Sequence, residues 1–201
     1  MGILESKALA LGILESKALA LEIVEQVAKE NNMNEPIELE NKFENQELKM
    51  PSRNHSFAMG SLTGLLFNDK RFTVMPELSL DTSQMDLSPF NLKAKDELIP
   101  DISLYPDKVG LGAPIDELKM KDMPLLVIEI LSPRQNLNDI LAKFQAYFAL
   151  GIKSCWLVIP AIKAITIYPQ PDQSKTFGTN DSEIIDEVMD IRLPIQKIFG
   201  K

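Results

Sequence analysis

Glu129 stands in the middle of MPLLVIEILSP, residues 123–133. Read as a strand, this run is apolar on both faces, with Leu125, Val127 and Leu131 on one side and Leu126, Ile128 and Ile130 on the other. A carboxylate buried there alone is costly, so it demands a cation, a metal ion or a proton. Asp101 is the acid best placed to meet it. It follows Pro100, and proline, lacking an N–H, belongs at the first residue or edge of a strand. If the strands carrying Asp101 and Glu129 are neighbours, their carboxylates converge. Two such groups repel unless a divalent ion neutralises them, and an all-oxygen site suits Mg²⁺ or Mn²⁺. The competing reading is a structural salt bridge from Glu129 to a lysine or arginine.

A sheet is needed to hold such a pair, and the flanking sequence supplies its parts. IPDISLYP predicts a strand at 101–105, reached from RFTVMPEL, another strand. Asn54 is a candidate cap for a helix from about His55 to Phe67, with Ala58, Met59, Leu62, Leu65 and Leu66 on one face. Residues 79–97 read as loops, and the polar segment 106–122, with Gly110, Gly112 and Pro114, leads into the strand of Glu129. Asn136 caps the clearest helix, whose Leu137, Ile140, Leu141, Phe144 and Phe148 share a face and whose end is marked by Gly151. KSCWLVIP and AITIY predict a hairpin; from Pro169 the tail reads as polar loop until LPIQKIF, a strand end or short helix. This order predicts an α/β or α+β domain with a mixed sheet, spanning 32–201.

Ahead of that domain, GILESKALAL occurs at 2–11 and again at 12–21, inside a helical pattern running from about residue 3 to 31. A ten-residue step falls about 80° short of three turns, so the two copies present different faces. A local duplication lengthening one helix fits better than a solenoid, whose units are longer. The 201 residues, 45% apolar and 25% charged, suit one soluble domain. Cys155 is single and sits in an apolar run, which reads as buried filler in a reduced, cytoplasmic protein. No uncharged apolar run reaches membrane-spanning length, and MGILES, although it matches a myristoylation pattern, is too short a match to carry weight. The net charge of −8 argues against a general nucleic-acid binder, yet not against a nuclease, whose acids can hold the ions that meet phosphate.

Several blocks, in order, resemble the Uma-two family of restriction-endonuclease-like proteins, which belongs by fold to the PD-(D/E)xK superfamily. They are FENQELKMPSRNH, Pro100-Asp101, VIEILSP, Asp139 with Lys143 and Tyr147, and GIKSCWLVIP, together covering about residues 40–170. The resemblance implies a restriction-endonuclease-like mixed sheet flanked by helices and a Mg²⁺- or Mn²⁺-dependent endonuclease acting on nucleic acid, most readily DNA. It assigns Asp101 and Glu129 as metal-binding acids, adds Glu47 as a third, and singles out His55. Where the superfamily usually has a lysine two residues after the glutamate, this chain has Leu131; the resemblance makes Lys143 the catalytic substitute. The wheel sets Lys143 about 120° from the centre of the apolar face, so the alternative is an ion pair with Asp139 four residues before it. Ile159 replaces an acid common in relatives.

Other residues read as structure. His55 suits capping or the core as well as a site, and a lone histidine builds no zinc cluster. Trp156 is expected in the core. Lys119 and Lys121 could meet phosphate, but a solvated loop is the default. Beside the nuclease stand two other classes: a non-catalytic scaffold of the same fold binding nucleic acid or protein, and an oligomer built through the long first helix. A homodimer is compatible with cutting two strands.

Overall fold

Ser52 rather than Asn54 caps the helix expected from about His55: its backbone is extended (φ −74°, ψ 162°) and its hydroxyl accepts the His55 N–H at 3.2 Å. The helix, α1, runs Arg53–Leu66, and Ala58, Leu62 and Leu66 form its buried stripe. In this computed structural model the described residues are 51–92, 96–107 and 116–200. The duplicated N-terminal segment, Glu47, and the loop residues Gly110, Gly112 and Pro114 lie outside them. After α1 come β1 (Phe72–Pro76), β2 (Leu80–Asp81), β3 (Glu97–Leu98), β4 (Ile102–Pro106) and β5 (Leu126–Ile130). Then follow α2 (Leu137–Ala149), β6 (Ser154–Ile159), β7 (Ala164–Gln170), β8 (Gln173–Phe177), β9 (Glu183–Asp186), β10 (Ile191–Pro194) and α3 (Ile195–Phe199).

The main sheet has the order β1-β4-β5-β6-β7-β8. β5 and β6 are parallel and joined through α2, as a parallel crossover requires; the other neighbours are antiparallel. The two faces divide the core. Ile102, Leu104, Leu126, Ile128, Ile130, Trp156 and Val158 pack with α1, α3 and the β9–β10 pair. Tyr105, Val127, Cys155 and Leu157 pack with Ile140, Phe144 and Tyr147 of α2. The alternation read from the sequence around Glu129 therefore holds inside β5.

The cap of α2 is as expected, with the Asn136 side chain accepting the Asn138 N–H at 3.0 Å and Gly151 left-handed at φ 88°. Asn136→Ala should cost about 1 kcal/mol, lowering the thermal midpoint by roughly 2–4 °C for a chain of this size, read by calorimetric or circular-dichroism melting. The hairpin β6–β7 is also as expected, turned by a 3-10 segment at Pro160–Ile162 and a left-handed Lys163 (φ 51°).

Two expectations are corrected. Residues 79–97 hold a small ladder, β2 with β3, because Leu80 and Leu98 need burial under the sheet. The tail after Pro169 is strand rather than loop. β8 shows four exposed residues and one buried, the pattern of a polar edge strand. β9 and β10 pair antiparallel and cover the core with Ile184 and Ile191, after which LPIQKIF forms α3. Asp186 ties this tail to β6: one oxygen accepts from Ser154 Oγ and Trp156 Nε1, each at 2.6 Å, and the other from the Val188 and Met189 N–H groups.

Candidate functional site

The antiparallel pairing of β4 with β5 sets Ile102 opposite Ile128, and the same register extended by one residue sets Asp101 opposite Glu129. The strands that carry the two acids are adjacent, and both residues lie at the end of the sheet where β4 begins. Asp101 is held at both oxygens: Oδ2 accepts the Ile130 N–H, and Oδ1 lies 3.1 Å from His55 Nε2 on α1. The chain behind it is tied as well, since the Glu77 N–H donates to the Asp101 carbonyl at 3.0 Å and Glu77 has the left-handed φ of 51°.

Glu129 is 2% exposed, and its partner is a lysine. Lys143 Nζ lies 3.0 Å from both carboxylate oxygens, and the Tyr147 hydroxyl donates to Oε1 at 2.7 Å. Lys143 and Tyr147 are one turn apart on α2, so both reach down onto the same spot of β5. Phe144 and Ile140 beside them lock that face against the sheet. Lys143 therefore meets Glu129 across the layer, and no pairing with Asp139 is found among the described residues.

Burial pushes the Glu129 carboxyl above its ordinary range and the nearby Asp101 anion adds to this, while Lys143 and Tyr147 pull the other way. Burial, reinforced by the Glu129 carboxylate, drives the Tyr147 phenol far up, so it remains a donor. The His55 imidazole is raised above 6.5 because its bond to Asp101 outweighs burial. Its Nδ1 is buried without a hydrogen-bond partner, which belongs to the opposing cost. A raised pKa means the folded state holds the proton more tightly. The stabilisation is full below pH 6.5 and is lost as pH rises through the raised value. Thermal midpoints should thus fall as pH rises above 6.5, and His55→Gln should remove that part of the slope.

A hard divalent cation suits this donor set. The acids are oxygen donors from adjacent strands, and among the described residues Glu129 Oε1 is the one oxygen of the pair that already accepts two hydrogen bonds, from Lys143 and Tyr147. At Glu129 the cation in contact with both carboxylate oxygens is the Lys143 ammonium. Its side chain is 23% exposed, which leaves it a way out toward solvent. Among the described residues no group of three or more His, Cys, Asp or Glu is set to hold a metal; Glu47 lies outside them.

His55, Tyr147 and Glu77 are the site residues that sequence reasoning passed over or left undecided. His55 carried a signal as the sole histidine at a helix start. Tyr147 carried one in its four-residue spacing from Lys143. Glu77 carried none. Trp156 and Cys155 are core, as expected, and burial raises the Cys155 thiol well above its ordinary value. Lys119 is engaged by Asp96 at 2.8 Å. Among the described residues no helix is long and apolar enough to cross a membrane.

Fold and site together define a mixed α/β protein similar to a nuclease fold, with Asp101 and Glu129 on adjacent strands at one end of its sheet. A solved structure with this architecture is that of a protein from Anabaena variabilis ATCC 29413 described as "a putative nuclease belonging to DUF820". It is 19% identical, with 75% of this chain and 82% of that chain covered and a TM-score of 0.58, a likeness of fold. The chain belongs to the Uma2 family, described as "Putative restriction endonuclease", whose model matches residues 44–196. No curated protein matches it.

Proposed function

We propose that the chain is a Mg²⁺- or Mn²⁺-dependent endonuclease that hydrolyses phosphodiester bonds in DNA. The observation that carries this reading is the buried Glu129 carboxylate beside Asp101, in a chain of the Uma2 family. A divalent ion, when bound, polarises the phosphate and acidifies a water. Asp101 and Glu129 would hold it. His55 and the Ile130 N–H keep Asp101 aimed. Lys143, displaced from Glu129, is left at the site to orient water and offset the charge of the phosphate. A homodimer would supply a centre for each strand.

Calorimetric titration with Mg²⁺ and Mn²⁺ tests it. The wild type should bind and Asp101→Ala should bind at least about tenfold more weakly, the scale on which metal sites respond to lost partners. Equal binding by both proteins would end this assignment. One observation favours a second reading, a scaffold that keeps the fold without the chemistry: all four oxygens of Asp101 and Glu129 already have protein partners. Absence of any metal binding by the wild type would select it.

A further inference from the structure

Each acid of the pair is held by one neutral donor fixed in the fold and one basic side chain. Asp101 has the Ile130 N–H on Oδ2 and His55 at Oδ1. Glu129 has the Tyr147 hydroxyl on Oε1 at 2.7 Å, while the Lys143 ammonium spans both of its oxygens at 3.0 Å each. The Glu129 oxygens are therefore unequal: Oε1 has two donors, and Oε2 has the ammonium alone among the described residues. The two donors are unequal in freedom as well. The Lys143 side chain is 23% exposed, whereas Tyr147 is fully buried in the layer between α2 and the sheet, its ring centroid 6.4 Å from that of Phe144.

We infer that Tyr147 is a positioning residue for the proposed metal site, holding Glu129 Oε1 so that Oε2 is the oxygen offered when Lys143 withdraws. The inference deepens the nuclease reading above and rests on it. The last torsion of a glutamate side chain is soft and nearly twofold, so burial alone does not fix which oxygen points where. A hydrogen bond to a carboxylate anion is about twice as strong as one between neutral groups, and the contact from Tyr147 sets that torsion. Because burial and the Glu129 charge keep the phenol protonated, the hydroxyl goes on donating after the ammonium has moved. Oε1 then stays satisfied inside the layer, and Oε2 is the oxygen that loses its partner. Phenylalanine in the same place would fill the same space and leave the carboxylate free to turn.

Calorimetric titration of the full chain with Mn²⁺, with melting curves on the same samples, tests this through Tyr147→Phe, which keeps the ring and removes the hydroxyl. The dissociation constant for Mn²⁺ should rise about 10- to 100-fold, the range for a lost partner of a metal ligand. Ile165→Val supplies the comparison, since Ile165 is buried in the core on the opposite face of the sheet. It loses packing without touching Glu129, so its melting midpoint should fall while its Mn²⁺ affinity equals that of the wild type. Wild-type affinity in Tyr147→Phe would overturn the positioning role and leave the nuclease reading intact. An equal loss of affinity in Ile165→Val would also overturn it, because the effect would then follow stability rather than Glu129. A wild type that binds no Mn²⁺ would overturn both.

Discussion

Glu129→Gln is expected to lower kcat/KM for DNA cleavage on the order of 10³-fold while the protein stays folded. A ligand that anchors a Lewis acid supports several kcal/mol of transition-state stabilisation, and about 4 kcal/mol corresponds to that factor. Glutamine keeps the shape of the side chain and the acceptor for Tyr147, but it loses the charge that a divalent ion requires. The fold should tolerate it. The Lys143 ammonium left behind is 23% exposed and can turn to water, so the stability loss should be only about 1 kcal/mol. Steady-state cleavage of a plasmid, with melting curves on the same samples, separates the two effects. Cleavage within a few-fold of wild type would remove Glu129 from the chemistry.

Lys143→Ala should behave in the opposite proportion for stability. Glu129 is 2% exposed and cannot turn to solvent, so removing its cation leaves a carboxylate with only the Tyr147 hydroxyl. Breaking a buried pair from this side costs roughly 3 kcal/mol, the low end of the usual range because the lysine end is partly wet. That predicts a thermal midpoint lower by roughly 6–12 °C. Glu129, already raised by burial, should rise further without Lys143. Protonation then relieves the cost, so the variant should lose least stability at acid pH and most as pH increases. The double change Glu129→Gln with Lys143→Met should recover most of the loss, because no buried charge remains. A Lys143→Ala protein as stable as wild type would show that the pair contributes nothing to the fold. Cleavage should also fall, by about 10²-fold, if the ammonium supports the phosphate charge as an oxyanion donor does.

Much of this geometry was legible in the order of residues. The run around Glu129 is apolar on alternate positions, and Leu126, Ile128 and Ile130 do share one face of β5. Asn136 and Gly151 mark the ends of α2 because capping is a property of a few adjacent residues. A proline before Asp101 marked the start of β4, while the pairing of β4 with β5 came from the fold. The start of α1 is not legible from sequence because Ser52 and Asn54 are both good caps, and only the extended backbone at Ser52 distinguishes them. The tail strands were missed because β9 and β10 have four residues each and β8 faces solvent. Patterns that short carry little periodic signal, and the contact that ties β9 to β6, Asp186 with Ser154 and Trp156, is remote in sequence.

The sequence by itself determined that Glu129 would be buried and would need a positive partner, since burial follows from the alternation of its own neighbours. Only the tertiary structure decided which cation that is. Lys143 meets Glu129 because α2, connecting two parallel strands, is packed across β5 with Phe144 and Ile140 against the sheet. His55 meets Asp101 for the same kind of reason, from the opposite layer. A strand's own pattern sets what faces inward, whereas the group that answers it comes from elsewhere in the chain and is chosen by how the layers stack.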